Sequence, residues 1–208
     1  MSPIAAILTV ALAGAAAPAA PSLSVPPIVV EVVLLTDVSP TVVAAAIEET
    51  QALYRSAGVS FIWRRGSPSL GALRVMLSAE RGPARDGAMP LGWLNFENGE
   101  PTREIHLSYA NAEAFMELSR EVVGQVSQKT QAERDRLLGR ALGRALAHEL
   151  GHYLLATRTH TQKGLLKGRR TAQEFFSPDR SSFAMDLGER REVAARVLKE
   201  FDLARRHN

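Results

Sequence analysis

The chain has 208 residues, 46% of them hydrophobic and 23% charged, which suffices for one globular domain with a sizeable core. The net charge is only +3, and the arginines are spread along the chain without interleaved aromatic residues, which argues against a nucleic-acid-binding surface. Because the chain has no cysteine, a disulfide framework, a cysteine-ligated zinc site and a thiol nucleophile are excluded.

The N-terminal segment has the pattern of a secretory signal peptide. Ile4 to Ala20 read IAAILTVALAGAAAPAA, an apolar run of about ten residues followed by small residues. Candidate A-x-A cleavage sites end at Ala17 or Ala19, although no lysine or arginine precedes the run. We expect residues 1–20 to be removed and the protein to be secreted or periplasmic, with no stable membrane span after cleavage. The alternatives are an uncleaved anchor, for which the run is short, and an unstructured Ala/Pro tail.

Residues 28–208 are predicted to form a single domain of mixed α/β class, preceded by an Ala/Pro-rich linker at 21–27. Apolar and β-branched runs predict strands at 28–36, 59–64, 73–79, 91–96 and 103–109. Three–four spacing of apolar residues predicts helices at 40–56, 110–126, 130–156 and 189–204. The early strand–helix–strand unit favours a twisted, mostly parallel sheet of four or five strands, packed on two or more helices. Segment 91–96 is the candidate edge strand.

Local signals predict where several elements begin or end. Ser39 is a candidate N-cap with Pro40 at the first helical position. The dipeptide at 98–99, Asn-Gly, predicts a tight turn between the last two strands. Thr130 and Glu133 form a capping-box pattern that opens the long third helix.

That long helix carries the H-E-x-x-H sequence at 148–152, HELGH. Residues four apart share one face of a helix, so His148 and His152 can offer two imidazoles to one metal ion. Zinc suits this pair because it binds neutral imidazole nitrogen, and a catalytic zinc keeps one position open for water. Glu149 is close enough to take a proton from that water without joining the metal's ligands. The alternative is an amphipathic helix whose histidines bind nothing.

A catalytic zinc needs a third protein ligand, and the sequence offers two candidates. His160 lies eight residues after His152, and a continuing helix would carry it about 12 Å along the axis. His160 can therefore bind only if the helix ends near Ala156 and the chain turns back. Glu174 is the rival, presented by a returning segment 22 residues after His152. His106, in a predicted strand, is expected to be structural.

These residues resemble the zincin metallopeptidases, and within them the metzincins, especially the matrixin-like group. The metzincin pattern is H-E-x-x-H-x-x-G-x-x-H followed by a methionine-containing turn, and the line here is HELGHYLLATRTHTQKGLLKG. The first two histidines and the glutamate match. The family's glycine position falls on Leu155 and its third histidine position on Arg158, so His160 is two residues late. The methionine expected after the third histidine is absent.

The resemblance implies a zinc-dependent endopeptidase that cleaves a peptide or protein substrate. Zn²⁺ would be held by His148, His152 and, if the turn is two residues longer than in the family, His160. Glu149 would act as the general base for attack by a zinc-activated water.

The resemblance further implies that the edge strand binds the substrate in extended form by β-augmentation. The residues concerned are Leu91, Gly92, Trp93 and Leu94. A second hypothesis is a zinc-stabilised binding or scaffold domain with little turnover, and a third is a metal-free interaction protein. The presence of Glu149 favours the enzyme, because a purely structural zinc site has no need of it. The sequence does not indicate an oligomeric state.

Overall fold

The computed structural model of the protein describes residues 26–66, 72–83 and 89–206, so the predicted signal peptide and residues 21–25 of the linker lie outside it. The strands of the described part are β1 (Ile28–Leu34), β2 (Phe61–Arg65), β3 (Leu73–Ser78), β4 (Gly92–Glu97) and β5 (Glu100–Ser108). Its helices are α1 (Pro40–Arg55), α2 (Tyr109–Leu118), α3 (Arg120–Val123), α4 (Gln131–Leu155), α5 (Ala172–Phe176) and α6 (Leu187–Arg206). None of these helices is long and apolar enough to cross a membrane.

The five strands form one mixed sheet in the order β2-β1-β3-β5-β4. The pairs β1–β2, β1–β3 and β3–β5 are parallel, whereas β4 pairs antiparallel with β5 at the edge of the sheet. Asn98 and Gly99 both have positive φ, 52° and 88°, which makes the tight turn from β4 into β5 that the Asn-Gly dipeptide predicts. The predicted mixed α/β class and the edge position of 91–96 are thereby confirmed.

Helix α4 is the central helix of the fold and packs closely against α1. Thr130 caps it in the predicted capping box with Glu133. The two helices approach so closely that a Cβ atom at Gly143 would lie 2.6 Å from the carbonyl oxygen of Ala46. Across this contact the Tyr54 hydroxyl donates a hydrogen bond of 2.9 Å to the carbonyl of Ala147, the residue before the H-E-x-x-H motif. Helix α1 thus fixes the position of the motif helix.

A buried ion network ties the C-terminal part of the chain to these two helices. The Arg144 side chain on α4 is 0% exposed, and its Nε lies 2.8 Å from Oε1 of Glu49 on α1. Arg144 also donates to the carbonyls of Glu174 and Asp179, the latter at 2.9 Å. Arg180 binds the other carboxylate oxygen of Glu49 at 2.7 Å. Removing one partner of such a buried network leaves an uncompensated charge, so the segment after α4 is firmly attached.

Two helical predictions need correction. The single helix expected at 110–126 is divided into α2, α3 and a 3₁₀ turn at Val126–Gln128. The Ser119 hydroxyl bonds back to the Phe115 carbonyl at 2.6 Å, and the chain breaks its helical path there. A short helix, α5, is absent from the predicted helices, and Thr171 opens it with a capping box to Glu174.

The close approach of α1 and α4 yields a stability test at Gly143. Alanine is about 1 kcal/mol better than glycine in a helix interior. Its methyl group would nevertheless lie 2.6 Å from the Ala46 carbonyl and 2.8 Å from the Glu49 Cβ, and neither atom can move away easily. Overpacking typically destabilises by about 1–3 kcal/mol, and contacts below 3 Å place the cost in the upper part of that range. After subtraction of the helix preference, we expect Gly143→Ala to lower the free energy of unfolding by ~1–2 kcal/mol in urea denaturation.

Arg136→Ala is the control, because Arg136 is exposed on the same helix and its loss should change stability by less than about 0.5 kcal/mol. A Gly143→Ala protein as stable as the original would contradict the close helix contact.

Candidate metal centre

Three imidazoles converge at the C-terminal half of α4. The Nε2 atoms of His148 and His152 are 3.1 Å apart, and the Nε2 of His160 lies 3.2 Å from the first and 3.3 Å from the second. Tetrahedral nitrogen ligands about 2.0–2.1 Å from a zinc ion are about 3.3–3.4 Å from one another. The three nitrogens are thus spaced so that one metal ion of this size could bind all of them.

His160 reaches the other two rings because the chain reverses directly after α4. Ala156 adopts the left-handed conformation, with φ 46° and ψ 43°, and the Thr157 N–H then bonds to the His152 carbonyl at 3.2 Å. A left-handed alanine costs about 1–2 kcal/mol, which the surrounding packing must offset. The helix end predicted near Ala156 is confirmed, although no glycine makes the turn.

The loop that follows folds back against the helix. Thr161 pairs with Lys167, and the Thr161 N–H donates to the Leu166 carbonyl at 2.9 Å. Gly151, inside the motif, permits this return, because a Cβ there would lie 2.9 Å from a Leu166 methyl group and 3.0 Å from one of Leu165. The residue directly before His152 is therefore small for a packing reason.

Backbone carbonyls orient both helical histidines. Nδ1 of His148 lies 2.9 Å from the Leu165 carbonyl oxygen, and Nδ1 of His152 lies 2.7 Å from that of Thr157. A carbonyl can only accept, so each Nδ1 carries the proton and donates it. In a neutral imidazole the lone pair is then on Nε2, the atom that faces the centre of the cluster. Hydrogen bonds within the protein therefore orient both rings as metal binding would require.

Burial also keeps these two rings neutral. It lowers the pKa of His148 to about 3 and that of His152 to about 4, from an ordinary value of about 6.5. Neighbouring imidazole charges act in the same direction. At neutral pH protons therefore do not compete with a metal ion for the Nε2 atoms.

Glu149 packs against the edge strand. The residue is buried, with 8% of its surface exposed. Gly92, the first residue of β4, lies directly against it, since a Cβ at Gly92 would be 3.1 Å from the Glu149 Cγ. The absence of a side chain at Gly92 lets the Glu149 side chain pack this close to the strand.

The other three residues predicted to bind substrate are placed differently. Leu91 is buried and its carbonyl accepts from the Ser108 N–H at 2.9 Å, so that oxygen is already bonded to the neighbouring strand. Leu94 is half-buried and packs against the core. Trp93 points to the opposite face of the sheet, where its ring stacks on His106 with centroids 5.0 Å apart. The structural role expected for His106 agrees with this contact.

Arg158 stands where the metzincin pattern has its third histidine, and it contacts β4 rather than the imidazoles. Its guanidinium lies 4.8 Å from the centroid of the Phe96 ring and donates to the Phe96 carbonyl at 3.4 Å. The loop carrying His160 and the edge strand are thereby joined near the end of β4.

The structure does not bring Glu174 to the histidine cluster. Its carboxylate caps α5 by accepting from the Thr171 N–H at 2.9 Å, and it lies 2.8 Å from the Lys167 ammonium. The rival third ligand therefore has a structural role.

Sequence reasoning missed the arginine behind the site, Arg170. Its guanidinium contacts the Gly164 and Leu165 carbonyls, within the loop that accepts the His148 hydrogen bond. The surrounding sequence, GRR, has no periodicity or spacing that indicates such a role.

A scan of protein-family models, a search of curated proteins and a search of solved structures each found no match for this chain. The likeness to zincins therefore rests on the residues and the order of elements described above.

The neutral, buried histidines predict how the metal-free protein responds to acid. In the unfolded chain both rings take up a proton near pH 6.5, whereas in the folded protein they do so only near pH 3–4. Between these values the unfolded state binds more protons, so stability should fall as the pH is lowered from about 6.5 towards 4. Denaturant titrations across this range measure the slope.

The double variant His148→Asn/His152→Asn is the control, because its amides cannot be protonated in this range. Its stability should depend less on pH than that of the native sequence, and equal slopes would show that the rings are not buried in the neutral form.

Proposed function

We propose that this protein is a zinc-dependent endopeptidase acting on extended peptide segments. The observation that carries the proposal is one cluster. Three Nε2 atoms lie 3.1–3.3 Å from one another, and Glu149, the residue after His148 on α4, packs against Gly92 of the edge strand. Metal ligands, a candidate proton acceptor and a surface for an added strand are all at one place.

The donor set supports zinc as the metal. Three neutral imidazole nitrogens suit zinc, whereas calcium and magnesium prefer oxygen ligands. Three protein ligands also leave one tetrahedral position for water or substrate. When bound, zinc would supply Lewis-acid chemistry, lowering the pKa of a bound water to about 7 and polarising the scissile carbonyl.

Glu149 is the proposed general base. It follows a ligand directly on α4, so its side chain is near the metal position without sharing the face of His148 and His152. In this role the carboxylate accepts the proton of the attacking water and delivers it to the leaving amine. Packing against Gly92 limits the orientations available to the carboxylate.

The edge strand is the proposed substrate-binding element. β4 has a single strand neighbour among the described residues, so its outer edge can pair with an extended peptide. Arg158 already bonds the Phe96 carbonyl, and the register of β4 with β5 shifts between Leu94 and Phe96. We therefore propose that a substrate pairs along the first part of β4, beginning at Gly92, and that the Arg158–Phe96 contact bounds the groove.

Secretion or periplasmic export remains part of the proposal, resting on the sequence of residues 1–20 alone.

Glu149→Gln separates the peptidase from a zinc-stabilised binding domain. The purified native protein should contain about one zinc per chain, and the variant should keep it because Glu149 is not a ligand. Loss of the base should lower the rate of casein cleavage by about 10²–10⁴-fold. Metal analysis and a fluorescent casein assay give the two readouts.

Glu48→Gln, a carboxylate change on α1, is the matched control and should retain full activity. A native protein that binds zinc but cleaves no casein would favour the zinc-stabilised binding domain. A folded native protein that binds no zinc would contradict the metal site.

Gly92→Ala tests the placement of the base by the edge strand. The added methyl would lie 3.1 Å from the Glu149 Cγ and 3.1 Å from the His106 carbonyl oxygen, so it should displace the carboxylate. Because a misplacement of about 1 Å can reduce catalysis by about 10²-fold, we expect at least a tenfold loss of kcat with zinc content unchanged. Asn95→Ala, an exposed change on the same strand, should leave kcat as it is. Equal activity of Gly92→Ala would mean that β4 does not position Glu149.

A further inference from the structure

The Leu165 carbonyl oxygen is shared between the metal centre and an arginine behind it. It accepts from Nδ1 of His148 at 2.9 Å and from Nη2 of Arg170 at 3.0 Å. The same Nη2 also donates to the Gly164 carbonyl. A carbonyl has two acceptor lone pairs, so the arginine and the histidine together use both.

Arg170 is itself held in place by residues outside the loop that contacts the histidines. Its side chain is 4% exposed, and its guanidinium carbon lies 3.5 Å from the centroid of the Phe183 ring. Nη1 donates to the Ser182 carbonyl at 3.1 Å and lies 3.5 Å from the Glu174 carboxylate. Burial lowers the pKa of Arg170 to about 10, which leaves the guanidinium charged at neutral pH.

The loop backbone at Leu165 needs a contact that fixes its orientation. Gly164 has φ +75° and carries no side chain, so its backbone is free to adopt many other conformations. If the peptide between residues 165 and 166 rotated, the Leu165 carbonyl would turn away from His148 and the ring would lose the bond that sets its tautomer. A charged donor on that carbonyl makes the observed orientation the favoured one.

We propose that Arg170 is a positioning residue for the metal site, acting through the Leu165 carbonyl on the orientation and tautomer of His148. The 3₁₀ turn Ser181–Phe183, which holds Arg170, is then part of the support of the site. The inference rests on the metal centre of the proposed function and does not depend on peptidase activity.

His152 provides an internal comparison. Its Nδ1 donates to the Thr157 carbonyl, which belongs to the reversal at the end of α4, and no contact joins that peptide to Arg170 among the described residues. Loss of Arg170 should therefore change His148 and leave His152 as it is. A merely destabilised fold would affect both rings.

The test compares Arg170→Gln with the native protein in two measurements. Competition with a chromophoric chelator gives the zinc dissociation constant, which we expect to rise about 10–100-fold, as for other outer partners of metal-bound histidines. Long-range ¹H–¹⁵N NMR of the metal-free protein gives the tautomer of each ring. We expect His148 to lose its predominant Nδ1–H form and His152 to keep it.

Arg180→Gln is the matched control. Arg180 comes from the same C-terminal segment and binds a buried carboxylate, yet its hydrogen bonds go to Glu49 and not to the loop. The Arg180→Gln substitution should destabilise the protein while leaving the zinc dissociation constant within about threefold of the native value.

Arg170→Lys covers the case in which Arg170→Gln does not fold. One ammonium cannot reach the Leu165 and Ser182 carbonyls as the planar guanidinium does, so zinc binding should weaken by about 3–10-fold with the same selective change at His148.

Native zinc affinity and native tautomers in whichever variant folds would overturn the proposal. A native protein that binds zinc without cleaving casein would refute the peptidase alone, and one that binds no zinc would refute the metal site while the NMR comparison still tests Arg170.

Discussion

Two hydrogen bonds from imidazole Nδ1 atoms to backbone carbonyls determine how the histidines of the candidate metal centre are oriented. They join His148 to Leu165 and His152 to Thr157, and both carbonyls belong to the chain that returns after α4. Each bond leaves a ring with its Nε2 lone pair directed to the point where His160 also arrives. The site therefore depends on the path of a loop as much as on the residues of the helix.

The path of that loop in turn depends on contacts at its start and on the side facing α4. The left-handed conformation of Ala156 starts the reversal, and Gly151 leaves room for the returning leucines. Beyond the loop, Arg170 and the buried network of Arg144, Glu49 and Arg180 attach the C-terminal segment to α1 and α4. Buried charges of this kind tolerate little displacement, because each loses its compensation when its partner moves.

The edge strand contacts the candidate site at a glycine. Gly92 and Glu149 are in contact because β4 packs beside α4, and the alternation of a strand then sends Trp93 to the other face. Of the four residues expected to meet a substrate, Gly92 lies against the proposed base. Arg158 provides a further boundary by bonding the Phe96 carbonyl, a contact that the two-residue displacement of His160 makes available.

Local interactions explain what the sequence by itself determined. The helical face shared by His148 and His152, the capping box at Thr130 and the Asn-Gly turn all depend on residues at most four apart, and the structure contains each of them. The order of strands and helices likewise follows from hydrophobic periodicity. The break at Ser119, marked by a side-chain bond to the backbone, and the short helix α5, marked by a capping box, are local features that periodicity did not predict.

Only the tertiary structure decided between His160 and Glu174 as the third member of the cluster. Both required the chain to return to α4, and the direction of that return is set by a left-handed alanine and by packing on Gly151, neither of which has a reliable sequence signal. Arg170 is only five residues from Leu165, yet its place there was hidden as well, because the more distant Ser182 carbonyl and Phe183 ring hold its guanidinium. Contacts between segments distant in sequence are chosen by the shape and charge of the assembled core, and no local pattern of residues records them.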